Sequence, residues 1–246
     1  MTEAAGSGGG TVAARQERAR FRHDVAAAAV RLYAEQGYEG TNAEQIAAAA
    51  GLSRSTFFRQ FRSKEDVVFA DHDALLDEAG SFLAEPHADP WEAVCRAAEG
   101  VFAHFAQQPE LARLRYAVVN REQILRDREL VTTFRYERLF EAYLREALPA
   151  EADLDVVRFA STVIATHNYF LRGLMRGDPA MDAGRLRAEL DAVRRLFGVV
   201  RRSDDGPSDG ARSRPIEADD VVVAVFKRSV PPADVARRIE EALGSP

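Results

Sequence analysis

Between residues 41 and 61 the chain reads TNAEQIAAAAGLSRSTFFRQF, which holds two helix starts separated by a glycine turn. No other stretch constrains the fold as much. Asn42 is placed to cap one helix, while Gln45, three positions on, can return a bond to the cap's own N–H. That helix can run only to about Ala50, because Gly51 supplies the positive φ of a sharp turn and Ser53 at once offers a second cap. Two short helices about such a turn form a helix-turn-helix, whose second helix enters the major groove of DNA while the first crosses the backbone.

The flanking residues fit that reading. From about Arg15 the pattern is helical, with Phe21, Val25, Ala28 and Leu32 on one stripe, and Gly37 stops it. Phe57 and Phe61, four apart, share a face and can pin the second short helix onto Phe21, Leu32 and Ile46. Arg54, Ser55 and Thr56 fall in its first turn, where recognition helices touch base edges. A bidentate match of Arg54 to guanine contributes ~1–3 kcal/mol of discrimination. Arg59, Arg62 and Lys64 are suited to phosphates, which give affinity without sequence information. Ser63 and Asp66 repeat the capping-box spacing and start a further helix through KEDVVFADHDALLDEAGSFL.

The stretch GYEGTNAEQIAAAAGLSRSTFFRQFRSKEDVVF, residues 37–69, resembles the DNA-binding domain of the tetracycline-repressor-like (TetR) transcriptional regulators. The resemblance implies an N-terminal three-helix DNA-binding domain, a helical C-terminal domain for ligand binding and dimerisation, and repression released by a small molecule. By motif position it assigns Thr41, Ser53, Thr56 and Lys64 to phosphates, and Arg54 and Ser55 to bases. Phe58 stands where the family often has Tyr, which removes a phenol from the phosphate contacts. Gln60 stands where Tyr or His is frequent, and can instead read adenine. The resemblance does not extend beyond about residue 202.

The fold class expected is all-α, with a short strand-helix tail. Residues 1–14 are small, Gly-rich and polar and read as a disordered arm. Residues 15–64 read as the helix-turn-helix domain and 65–202 as the effector-binding and dimerisation domain. Helical patterns cover roughly 90–107, 109–126, 129–147, 153–176 and 183–202, with Pro90 and Pro109 in first turns that accept proline. Residues 203–215 read as a linker. In the tail, 216–246, VVVAVF reads as a strand and PADVARRIEEAL as a small helix.

Composition narrows the function classes. Cys95 is the sole cysteine, so no intrachain disulfide and no cysteine-based zinc site can form. No apolar run reaches the ~18 residues of a membrane span, and a cytoplasmic location is expected. Net charge is −6, but residues 1–64 carry nine Lys/Arg against six Asp/Glu, a local +3 that leaves −9 for the remainder. Such asymmetry permits a nucleic-acid module on an acidic body.

A half-site reader needs a two-fold mate. The stripes Val156, Ala160, Val163, His167, Phe170, Leu174 and Leu186, Leu190, Val193, Phe197 suit a homodimer interface, and suit ordinary core packing almost equally. For a small-molecule effector the candidates are His104, Tyr116, Asn120, Tyr136, Tyr143, His167, Asn168 and Arg172, polar or aromatic residues in otherwise apolar helices. Trp91 and Cys95, one turn apart, read as core. No cofactor is expected. GLSRS lacks the final glycine of a nucleophile elbow, and there is no phosphate-binding loop or helical HExxH. DHD, 71–73, offers His72 to a metal, but adjacent helical positions point apart, so a solvated acidic face is expected there and no metal. The alternatives kept open are a protein–protein module that retains the fold without binding DNA, and a metal-dependent enzyme.

Overall fold

The computed structural model describes residues 8–200, and every regular element among them is helical. The N-terminal head comprises α1 (Gly8–Gln36), α2 (Ala43–Ala49), α3 (Arg54–Gln60) and α4 (Lys64–Val68). The body comprises α5 (Ala70–Leu83), α6 (Pro90–Ala106), α7 (Pro109–Arg121), α8 (Gln123–Ala147), α9 (Asp153–Arg176) and α10 (Ala183–Leu196). Among the described residues no helix is long and apolar enough to cross a membrane. The expected linker, strand and small terminal helix lie outside the described residues.

The capping chemistry of the head is realised bond for bond. The Asn42 side chain accepts from the Gln45 N–H at 2.9 Å, and the Asn42 N–H donates to the Gln45 side chain at 2.8 Å. Gly51 takes φ +68°, a left-handed conformation that strains any residue with a Cβ. Ser53 then accepts from the Thr56 N–H at 3.2 Å, and Ser63 from the Asp66 N–H at 3.3 Å. Behind these turns lies a core of Val25, Ala29, Val30, Tyr33, Ile46, Phe57, Phe61 and Val67. Burying Phe57 completely contributes ~1.5–3 kcal/mol to holding α3 in place.

Head and body are not separate packing units. The head core includes Leu111, Val118 and Val119 of α7 and Leu125 of α8. The body has a second core in which Phe102, Phe140, Leu144, Phe159, Leu186 and Leu190 are fully buried. Trp91 and Cys95 belong to it, and burial pushes the Cys95 thiol up to about 12.

Five boundaries or faces differ from the sequence expectation. First, α1 begins at Gly8, inside the segment expected as a loose arm. Once Val25 and Val30 anchor the helix, extending it through AARQERAR costs little. Second, the helix from Ser63 is two helices, interrupted at Phe69 (φ −110°, ψ 17°), whose ring is buried. Third, α7 ends at Arg121 and α8 starts at Gln123, because Glu122 is extended, with φ −118° and ψ 117°. Fourth, α10 stops at Leu196.

The fifth concerns the proposed dimer stripes. Val156, Ala160, Val163 and Phe170, like Leu186 and Leu190, are buried within the single chain. Those faces of α9 and α10 build the body's own core and are closed to a second copy.

Candidate nucleic-acid interface and body cavity

The α3 helix presents two opposite faces. Phe57 and Phe61 point inward, with Phe61 stacked on Phe21 at a ring separation of 6.3 Å. Ser53, Arg54, Ser55, Phe58, Arg59, Gln60 and Arg62 are exposed, and Thr56 is half-buried. The Arg54 side chain is 72% exposed, so the leading end of the helix is not tucked against the body. Its Nε lies 3.2 Å from the Glu44 carboxylate of α2, and its guanidinium sits 5.7 Å from the centre of the Phe58 ring. An exposed pair of this kind is worth ~1 kcal/mol or less, so it orients Arg54 without locking it. Ser53 Oγ is 3.0 Å from Ser55 Oγ and 2.9 Å from Thr56 Oγ1, which gathers three hydroxyls at one tip.

Two of the residues assigned to phosphates are used inside the protein. Thr41 is 1% exposed and its hydroxyl donates to the Gly37 carbonyl at 2.8 Å, so it cannot reach a backbone phosphate. Lys64 turns inward: Nζ donates to the Tyr38 carbonyl at 2.7 Å and the Thr41 carbonyl at 3.0 Å, and lies 3.8 Å from the centre of the Tyr38 ring. Two of its three donors therefore fasten the turn between α1 and α2. Arg59 and Arg62 form no ion pair with the described residues and remain available.

A narrow cavity of about 60 Å³ lies in the body between α5, α6, α7, α8 and α9. Four of the effector candidates, Tyr116, Tyr136, His167 and Asn168, line it. The other four effector candidates do not. His104 turns to a neighbouring cleft shared with His23 and Asp71. Asn120 is exposed and donates to the Tyr116 carbonyl at 2.9 Å, Tyr143 meets His87 at a ring separation of 6.3 Å, and Arg172 is exposed. A helical stripe specifies a face but not the neighbour it meets.

The cavity also takes residues that were not anticipated, among them Phe69, His72, Arg115, Thr132 and Met175. The DHD segment is not a solvated acidic face. Asp71 is 2% exposed and both its oxygens accept from Arg115, at 3.1 and 2.6 Å. The Arg115 guanidinium holds the Asp71 carboxyl well below the usual carboxylate range, against the opposing effect of burial. His72 Nδ1 is 3.2 Å from the Tyr136 hydroxyl, and burial lowers its pKa to about 4. The register of His72 with Leu75, Leu76, Ala79 and Leu83 was the available signal that it faces inward. Burial likewise lowers His167 to about 4; its Nδ1 lies 3.2 Å from Asn168 Oδ1, while its buried Nε2 has no hydrogen-bond partner.

A clamped recognition helix with an exposed, cationic and hydroxyl-rich front, on a helical body that encloses a cavity, defines a helix-turn-helix protein. Residues 25–70 match the model of the tetR family of bacterial regulatory proteins. The regulator TcmR of Streptomyces glaucescens is 46% identical over 65 residues, which is 26% of this chain and 27% of that protein. The regulator EthR of Mycolicibacterium smegmatis is 33% identical over 93 residues, 36% of this chain and 43% of that protein. The matches thus span 27% and 43% of the length of these two curated relatives. Over the fold as a whole, the SmeT–triclosan complex superposes with a TM-score of 0.56 at 21% identity, covering 80% of this chain and all of that one. The similarity to the tetR family lies in the N-terminal helix-turn-helix, the part of the chain that carries the sequence match.

Proposed function

We propose that the chain is a sequence-specific transcriptional regulator that binds duplex DNA through α3 and is released from its operator by a small molecule held in the body. The observation that carries the reading is the exposed front of α3, with Arg54, Ser55 and Gln60 free to meet base edges while Phe57 and Phe61 hold its back. Ser53, Thr56, Arg59 and Arg62 supply the phosphate contacts. Phe58, 48% exposed, stacks beside Arg54 and offers an apolar edge to a thymine methyl. Helices α1 to α4 act as the reading head and α5 to α10 as the sensing body.

Two-fold pairing is part of the proposal, since one head reads half a site. The inward faces of α9 and α10 are filled, so the pairing surface belongs on their outward faces, where Leu154 and Leu196 are exposed.

Phe69 is the link between effector and operator. Its ring lines the cavity and is packed in the head core, directly before the first turn of α5. Triclosan, in the structure of SmeT, illustrates the kind of compact aromatic molecule such a body accommodates. A cavity of this size must widen to admit an organic ligand. A ligand that prefers the widened body displaces Phe69 and with it α4, and lowers DNA affinity by its differential affinity, typically ~1–3 kcal/mol. Such a mechanism uses binding alone, with no bond made or broken, and a role as a regulator rather than an enzyme follows.

Selection from a pool of random duplexes tests the reading. The expected result is enrichment of a site with two symmetric halves; a pool that stays random through repeated rounds would refute it.

A further inference from the structure

We propose that His23, Asp71 and His104 form a site for a first-row transition-metal ion of the zinc class, placed where the head meets the body. The residues come from three elements: His23 from α1, Asp71 from α5 and His104 from α6. One potential ligand atom from each lies within 4.8 Å of the other two.

The three side chains converge as two loose ion pairs on one carboxylate oxygen, longer than hydrogen bonds of ordinary length. His23 Nδ1 and His104 Nε2 stand 3.8 and 3.7 Å from the same Asp71 Oδ2, beyond hydrogen-bond reach. Asp71 has no need of them, because Arg115 already bonds both its oxygens. His23 Nδ1 is nevertheless buried and without a hydrogen-bond partner. The two imidazoles meet edge to face at 5.2 Å, with their nitrogens turned to a common oxygen. An ion bonded at ~2.0–2.2 Å to tetrahedral N and O ligands sets them about 3.4 Å apart. The two edges that include Asp71 need to close by only a few tenths of an ångström.

The donor set selects the ion. Two imidazoles and a carboxylate suit zinc, cobalt, nickel or copper, whereas calcium and magnesium require oxygen ligands. Arg115 does not block the site, since its fork takes one lone pair of each Asp71 oxygen and leaves another on Oδ2. Its charge reduces the carboxylate's pull, which leaves the two imidazoles as the stronger part of the donor set. A polar cleft of about 260 Å³, lined also by Glu78, Arg20 and Gln108, opens onto the three ligands and leaves space for water to complete the coordination. An ion here ties α1 to α5 and α6, and so favours one placement of the head on the body.

The site is tested without DNA, so its failure and that of the regulatory reading are distinguishable. Tag-free full-length chain, stripped by chelator, is titrated with Co²⁺ and then with Zn²⁺. The expected result is a visible cobalt absorption band that saturates near one ion per chain and is bleached by zinc. His23→Gln and His104→Gln should each weaken cobalt binding at least tenfold, while His87→Gln, outside the cluster, leaves it unchanged. Circular dichroism of the metal-free variants checks that each is folded, and if one is not, the other carries the comparison. Absence of the band in the parent, or a band of equal affinity in a folded His23→Gln or His104→Gln variant, would overturn the proposal.

Discussion

The Asp71 carboxylate and the Arg115 guanidinium meet as a buried two-pronged ion pair between α5 and α7, with oxygen–nitrogen distances of 3.1 and 2.6 Å. Both residues are at least nine-tenths buried, so each charge depends on the other far more than on solvent. Removing Arg115 leaves the Asp71 carboxylate with only the looser His23 and His104 imidazoles, 3.8 and 3.7 Å away, at a cost of up to ~3–5 kcal/mol, whereas replacing both members of the pair by apolar residues can be close to neutral. Arg115→Met alone should therefore lower the urea midpoint of unfolding sharply. The double variant Asp71→Leu with Arg115→Met should recover most of the loss, and a double variant no more stable than the single would show that the pair is not the origin of the effect.

The inward turn of Lys64 separates two phenotypes that the sequence alone would merge. Arg59→Ala or Arg62→Ala should weaken binding to all duplexes alike and make the log–log salt dependence shallower by about one unit for each phosphate no longer neutralised. Lys64→Ala should instead lower thermal stability, since Nζ fastens the Tyr38 and Thr41 carbonyls. Melting curves and salt titrations of the three variants decide the matter. A Lys64→Ala protein that melts like the parent would contradict the assignment.

His167 gives a pH dependence of stated sign. Burial lowers it from 6.5 to about 4 in the folded chain, so it stays neutral there while the unfolded chain takes up a proton near 6.5. Its contribution is fully present above pH 6.5 and is lost as pH falls from 6.5 towards 4, at up to ~1.4 kcal/mol per pH unit. His167→Gln should flatten that part of the stability–pH curve relative to the parent. Parallel curves over this window would rule the assignment out.

Glu44 offers a gain-of-function check. Its carboxylate lies 3.2 Å from Arg54 Nε and is exposed beside the reading front, where it also repels phosphate. Glu44→Gln should raise operator affinity a few-fold and leave stability nearly unchanged, because an exposed pair contributes ~1 kcal/mol or less. Affinity that falls instead would mean that Glu44 is needed to aim Arg54.

The head was legible because its determinants are local. Asn42 with Gln45, Gly51, Ser53 with Thr56, and the four-residue spacing of Phe57 and Phe61 are all read within one or two turns. The body was legible only as helices. Asp71 looks solvated until Arg115, 44 residues away, is known to face it, and no helical period carries that fact. The break at Phe69 has neither Gly nor Pro to announce it. The stripes on α9 and α10 are equally good as core or as interface, and in the structure they are core. Thr41 and Lys64 show a further limit: position within a motif does not reveal that a hydroxyl or an ammonium group is already bonded inside.

The central claim is that the leading edge of α3 reads bases, and duplex selection with the Arg54→Ala variant beside the parent tests it most directly. The variant should still enrich a two-fold symmetric site, but with preference lost at one base pair in each half, equivalent to ~1–3 kcal/mol of discrimination. Identical motifs from parent and variant would contradict the account.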